Sequence, residues 1–133
     1  SPSMNFVEAN ATGGTLAALG ATFALGARLA GHEGACVMGV RPEHLSEEPV
    51  PGGVPVRYAV ELVEPLGSET YLTGSVAGAR IVARVGSRTA AKPGGNIELY
   101  VDPRRLHLFA PGDNGAAIGA PEASANLPLA QSA

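Results

Sequence analysis

Residues 54–62 read Val54-Pro55-Val56-Arg57-Tyr58-Ala59-Val60-Glu61-Leu62, and their order decides the fold. Val54, Val56, Tyr58, Val60 and Leu62 alternate with Pro55, Arg57, Ala59 and Glu61. Successive side chains of an extended chain point to opposite faces, so the first set shares one face and Arg57 and Glu61 share the other. Fully burying each large apolar side chain contributes about 1.5–3 kcal/mol. A slip of one residue would bury Arg57 and Glu61 instead, so the register is strongly specified. By the same parity Tyr58 lies with the core valines.

Downstream, Pro65 and Gly67 interrupt this strand, and it resumes from Thr70 to Val76. Ala77-Gly78 reads as a hairpin turn. Ile81, Ala83 and Val85 then alternate with Arg80, Val82 and Arg84. Lys92-Pro93-Gly94-Gly95 has Pro second and Gly third, as a type II turn requires. Ile97, Leu99 and Val101 alternate with Glu98 and Tyr100, and Asp102 before Pro103 reads as an N-cap followed by a first-turn proline.

Upstream, residues 36–41 (CVMGVR) read as a buried strand and Pro42 to Leu45 as a helical turn, with a loop over 46–53. In residues 13–34, Leu16, Leu19 and Phe23 recur at helical spacing, but six glycines divide the segment. Each interior Gly costs about 1 kcal/mol in a helix, so two short strands are expected instead, near 15–19 and 22–29, with a turn at Gly20-Ala21. Met4 to Val7 is a further short strand. Six to eight short strands joined by turns, without a long helix, predict an all-β fold, a small OB-type β-barrel.

One internal echo stands out. Val40-Arg41-Pro42-Glu43-His44-Leu45 and Val101-Asp102-Pro103-Arg104-Arg105-Leu106 share strand end, Pro, two polar residues and Leu. A structural repeat would produce such a match, and so would chance. Residues 110–133 show no periodicity and read as a flexible tail, leaving one domain over 1–109.

Composition narrows the function. Apolar residues make up 45% and charged residues 16%, the balance of a folded globular chain. The net charge is −3, and eight Arg are scattered along the chain with Lys92 the only lysine. A nucleic-acid reader carries a basic stripe, and none is present. Cys36 is the single cysteine, which excludes an internal disulfide and fits a reducing compartment. No apolar run approaches the length of a membrane span. The first residue is Ser rather than Met, so the chain is expected to be excised from something longer, or trimmed.

Catalytic chemistry is not legible. A phosphate-binding loop needs Gly residues and a Lys followed by Ser or Thr, whereas Lys92 lies between Ala91 and Pro93. A G-x-S-x-G nucleophile elbow is absent. His32 and Cys36 are four apart, but a structural zinc needs about four ligands and no others lie near in sequence. Glu47-Glu48 and Arg104-Arg105 read as solvated loop and corner charges. No catalytic, cofactor-binding or metal site is expected.

Four segments resemble one known family. Residues 38–45 (MGVRPEHL) resemble the G-[IV]-R-P-E-H-[LI] signature of the TOBE domain. Residues 60–70 (VELVEPLGSET) are similar to its V-x-x-V-E-x-L-G-x-E-T segment, and residues 101–109 (VDPRRLHLF) to its closing D-P-x-x-x-H-L-F. Residues 1–6 (SPSMNF) look like the S-P-x-M-N-F junction that follows a nucleotide-binding domain. The motifs occur in family order over residues 1–109. Residues 13–34 match none of them. A molybdate-binding branch uses a Ser-Ala-Arg-Asn type sequence, which is absent, so oxyanion binding is disfavoured.

The resemblance implies a TOBE/MOP-like barrel closing the ATP-binding subunit of a sugar-type ABC importer, of the maltose/trehalose or glycerol-3-phosphate class. It implies regulation and dimer stabilisation, with ATP and Mg held by a nucleotide-binding domain outside this chain. The implied partners are that domain, a second ATPase subunit, the importer's membrane subunits and a cytosolic regulator, at the cytoplasmic side of the bacterial inner membrane. Gly39, Arg41, Pro42, Glu43, Gly67 and Glu69 are the candidate interdomain or dimer contacts. Two rivals remain at this point: a solute-sensing barrel and a nucleic-acid-binding OB domain.

Overall fold

The computed structural model describes residues 3–112 and 115–119. Among them the chain forms ten strands: β1 (Asn5–Thr12), β2 (Thr15–Ala18), β3 (Ala21–Ala24), β4 (Gly34–Val40), β5 (Leu45–Ser46), β6 (Val54–Pro65), β7 (Glu69–Val76), β8 (Ala79–Gly86), β9 (Asn96–Val101) and β10 (His107–Phe109). Three single 3-10 turns cover Gly26–Leu29, Pro42–His44 and Pro103–Arg105. The surplus over six to eight strands lies in β5 and β10, which are too short to leave an alternation in the sequence. Residues 25–29, read as the end of a strand, turn instead.

Two five-stranded sheets, in the orders β10-β4-β1-β2-β3 and β5-β9-β6-β7-β8, curl as a half-barrel around one apolar core. Leu16, Phe23, Met38, Tyr58, Leu72, Leu99 and Leu106 are fully enclosed. The Tyr58 hydroxyl donates to the Ile81 carbonyl at 2.7 Å, which satisfies its one polar atom inside the core. Gly74 makes room for that ring: a Cβ there would lie 2.1 Å from the Ala59 oxygen and 3.0 Å from Tyr58 Cζ.

The six-residue echo is a structural repeat. In each copy the chain leaves a strand, makes a 3-10 turn opened by Pro42 or Pro103, and buries the following Leu45 or Leu106. His44 N–H donates to Arg41 O at 2.9 Å, and Arg105 N–H donates to Asp102 O at 3.0 Å. Each corner passes the chain from one sheet to the other. β4, before the first corner, pairs with β10, after the second; β9, before the second, pairs with β5, after the first.

One departure from the alternation is physical. A bulge between Val60 and Leu62 inserts Glu61 as an extra residue in β6. The phase flips beyond it, so Val63 packs on the core while Leu62 turns outward and is 48% exposed. The Lys92–Gly95 turn docks against this bulge. Gly95 N–H closes the turn on Lys92 O at 2.9 Å, Gly94 N–H donates to Val60 O at 2.8 Å, and Val60 N–H returns to Gly95 O at 2.9 Å. Gly94 has φ +87°, as the third position of a type II turn demands.

The β7–β8 hairpin turns at Ala77-Gly78, as expected. The β2–β3 hairpin turns one residue earlier than its glycine suggests, at Leu19-Gly20. Both pairs have positive φ at both residues, which matches the right-handed twist of two-residue hairpins. Within the segment read as tail, residues 115–119 return along β10: Ala110 N–H donates to Ala116 O at 2.8 Å and Ile118 N–H to Leu108 O at 2.7 Å. Residues 120–133 lie outside the described residues.

Candidate functional site

The first corner and the β6–β7 loop carry the residues singled out from sequence. Gly39 is buried on β4, opposite Phe6 of β1 and His107 of β10. A Cβ there would fall 2.3 Å from Met4 Sδ and 3.4 Å from Phe109 Cε2. The glycine therefore leaves room for the Met4 side chain over β4. Pro42 is buried as the first residue of the turn, whereas Arg41 and Glu43 on either side of it are exposed. Neither of these two makes an ion pair or side-chain hydrogen bond among the described residues.

Gly67 takes φ +83° at the tip of the β6–β7 loop, where Leu66 N–H closes on Glu69 O at 2.8 Å. Glu69 pairs with Arg84 of β8 at 3.4 Å. The loop and the corner meet across a shallow groove. Glu43, Glu47 and Glu48 line one wall; Ser68, Glu69, Arg84 and Arg88 line the other. Thr89 Oγ1 donates to Glu47 at 2.5 Å and ties the 87–91 loop to the 46–53 loop. The structure thus brings Glu43 and Glu69 to one groove, whereas Gly39, Arg41, Pro42 and Gly67 are not among its lining residues.

Basic groups gather where the two corners touch. Burial lowers the pKa of His44, and the charges of Arg105, Arg41 and His107 lower it further against a pull from Glu43. Its Nδ1 is buried without a hydrogen-bond partner among the described residues. Burial likewise lowers the pKa of His107, with Arg41 and Arg28 adding to the shift. Asp102 is 9% exposed, and burial pushes its pKa up. The hydrogen bonds and charge of Arg104 outweigh that and hold it below the usual carboxylate value. Arg104 grips both carboxylate oxygens, Nε and Nη2 each at 3.1 Å, while its N–H is capped at 3.0 Å.

Two side chains that sequence reasoning missed hold the frame of the site. Asn5 Nδ2 donates to Val40 O at 3.1 Å and Val82 O at 2.9 Å, and its Oδ1 accepts from Val82 N–H at 2.8 Å. It clips one sheet to the other beside the first corner. Arg28, in the segment that matched no motif, donates to Pro103 O at 2.6 Å and Leu106 O at 2.5 Å, capping the second corner. Asn5 is a letter of the S-P-x-M-N-F junction, but nothing in that motif showed what its side chain would bond.

A model of the TOBE domain matches residues 38–109, which spans both corners and all of the second sheet.

The chain belongs to the TOBE domain family.

A model of the MalK OB fold domain matches residues 1–45, the part that supplies Asn5, Arg28 and Gly39. This TOBE chain is 39% identical over 116 residues to the sn-glycerol-3-phosphate import ATP-binding protein UgpC of Ruegeria pomeroyi, covering 84% of the chain and 31% of that protein. It is 35% identical over 115 residues to the sulfoquinovosyl glycerol transport ATP-binding protein SmoE of Agrobacterium fabrum, covering 81% of the chain and 32% of that protein. It is 40% identical over 126 residues to the uncharacterized ABC transporter ATP-binding protein y4oS of Sinorhizobium fredii, covering 89% and 32%. The chain spans about a third of the length of the curated relatives it matches.

The only lysine, Lys92, opens a glycine turn whose Gly94 and Gly95 N–H groups are already bonded to Val60 O and Lys92 O. No helix among the described residues is long and apolar enough to cross a membrane.

Proposed function

We propose that this TOBE domain is the regulatory and dimer-stabilising part of an ABC-importer ATP-binding subunit for a carbohydrate or related solute. The observation that carries the reading is the alignment of 81–89% of the chain with proteins named as import or transport ATP-binding subunits. The chain accounts for about a third of each. ATP and Mg2+ would be held by the remaining two thirds, which would also meet the importer's membrane subunits at the cytoplasmic face of the inner membrane. A second subunit and a cytosolic regulator are the partners for the surface described above.

Arg41 and Glu43 are the contacts, because they are exposed, oppositely charged and fixed by a buried proline between them. Glu69 lies across a groove from Glu43, and Gly67 turns the loop that carries it. The surrounding 3-10 corner is tied at both ends into strands, so the backbone that carries the two charges is fixed before any partner arrives.

The test has two parts. The coding sequence upstream of Ser1 should contain a P-loop and an ABC signature; another kind of protein there would overturn the transporter reading. In the full-length subunit, Arg41→Glu and Glu43→Arg should each weaken dimerisation, measured by sedimentation, or change regulation of ATP hydrolysis, and the double swap should restore part of it. Unaltered assembly and regulation in both single variants would remove these residues from the interface.

A further inference from the structure

Two further parts of the chain converge on the second corner. Arg28 reaches it from the 3-10 turn at Gly26–Leu29, where its guanidinium donates to Pro103 O and Leu106 O. Residues 115–119 approach it along β10. Phe109 pairs with Ala117 in the antiparallel sense, and Ile118 N–H donates to Leu108 O at 2.7 Å. The same antiparallel count sets Gly119 opposite His107. Gly119 takes φ +64°, and a Cβ there would lie 2.6 Å from Arg28 O. Only glycine suits such a place, because the chain runs directly against the main chain of Arg28. Gly119 therefore lies at one end of Arg28 and the second corner at the other, and the strand direction carries the chain toward that corner.

The ground ahead of Gly119 is basic. His107 pairs with Gly39 of β4, two residues before Arg41. The charges of Arg41 and Arg28 both act on His107, and those of Arg105, Arg41 and His107 act on His44. Among the described residues Glu43 alone pulls His44 the other way. Asp102, the other carboxylate of the corners, is gripped by Arg104. Three arginines and two imidazoles thus share the junction of the two corners. Like charges held together raise one another's energy, and a carboxylate set among them lowers it. The sequence after Gly119 offers one: Glu122 is the only charged residue from 114 to 133. It follows Gly119 by three residues, about 10 Å of extended chain, which is enough to pass along Arg28 to the corner.

We propose that the chain caps its own basic junction: the segment after Gly119 lays the Glu122 carboxylate among Arg28, Arg41 and Arg105. The occupant is this chain's own segment because the pairing on β10 delivers it there and its one charge has the required sign. The rest of residues 120–133 are Ala, Pro, Ser, Asn, Leu and Gln, so the electrostatic part of the contact has a single determinant. A partner that binds through Arg41 would compete with the cap. That consequence rests on the reading of Arg41 as a contact, whereas the cap itself does not depend on the transporter reading.

Imidazole titrations read by NMR on the labelled full chain, in about 10 mM salt to keep screening weak, test the cap. In Glu122→Gln the titration midpoints of His44 and His107 should fall by about 0.3–0.5 pH, the effect of losing one carboxylate about 7 Å away in a watery surrounding. Glu64→Gln removes the same charge from the far end of β6 and should move them by less than half as much. Midpoints that stay in place in Glu122→Gln, or that fall equally in Glu64→Gln, overturn the proposal. So does a difference between Glu122→Gln and wild type that grows with protein concentration, which would place the carboxylate on a second copy.

Discussion

Replacing Asn5 with alanine removes three hydrogen bonds that no other side chain can supply, those to Val40 O, Val82 O and Val82 N–H. Each is worth about 0.5–1.5 kcal/mol net, and a buried main-chain group left without a partner costs about 1–3 kcal/mol. The site is half-buried, so water recovers part of the loss, and the variant should be destabilised by about 2–4 kcal/mol. A domain of this size unfolds with about 2.1 cal/mol/K of entropy per residue, so Tm should fall by about 8–16 °C. Urea titration followed by far-UV circular dichroism checks it, with the midpoint shifted and the m value unchanged. Asn5→Asp sharpens the test. Its carboxylate still accepts from Val82 N–H but faces the carbonyl oxygens of Val40 and Val82. Folding therefore raises the carboxyl pKa above its unfolded value. The stability it contributes is fully present below the unfolded pKa and lost as pH rises through the folded pKa. Relative to wild type, the Asp variant should recover on acidification toward pH ~4. An alanine variant within about 0.5 kcal/mol of wild type, the usual scatter of surface substitutions, would refute the clip, as would an Asp variant whose pH profile parallels wild type.

Gly74→Ala should cost about 1–3 kcal/mol or more through the clash with Ala59 O and the Tyr58 ring, whereas Gly86→Ala, with open space around it, should change stability by less than about 1 kcal/mol; chemical denaturation compares the two. Arg28→Ala should lose about 1.5–3 kcal/mol, the range for hydrogen bonds to a charged group, and should raise amide exchange at Arg105 and Leu106, whose N–H groups close the second corner. His44 and His107 both have lowered pKa values in the folded chain, so the unfolded chain binds more protons below pH ~6.5. Their contribution is present above that pH and lost as pH falls through the folded values. The urea midpoint should drop between pH 7.5 and 5, and a His44→Gln, His107→Gln double variant should flatten that drop.

The strands with a polar face were legible because alternation is a local property. Val56, Tyr58 and Val60, then Ile81, Ala83 and Val85, then Leu99 and Val101 lie in the core as their parity requires. The type II turn at Lys92–Gly95 was equally plain, since Pro and Gly fix backbone angles directly. Leu62 broke the pattern because a bulge is an insertion in pairing, not in composition; nothing near Glu61 signals it. β5 and β10 escaped because two or three residues carry no period. The turn at Leu19-Gly20 was displaced by one because leucine seldom takes positive φ, so Gly20 was read as the first turn residue rather than the second. Of the candidate site, the motif holding Arg41 and Glu43 was readable, but the convergence of Glu43 with Glu69 and Arg84 is tertiary. Asn5 and Arg28 act on carbonyls more than 30 residues away, and no spacing rule reaches that far.

The pairing of β10 with β4 has a consequence for how the chain is made. Synthesis runs from the N-terminal side, so β4 is complete about seventy residues before His107–Phe109 leaves the ribosome to cover its edge. Until then Val37 to Gly39 present a bare strand edge, and the pocket for Leu106 and Leu108 stays open to water. A nascent chain released before Phe109 would carry that edge permanently, whatever the quality of the hairpins already formed.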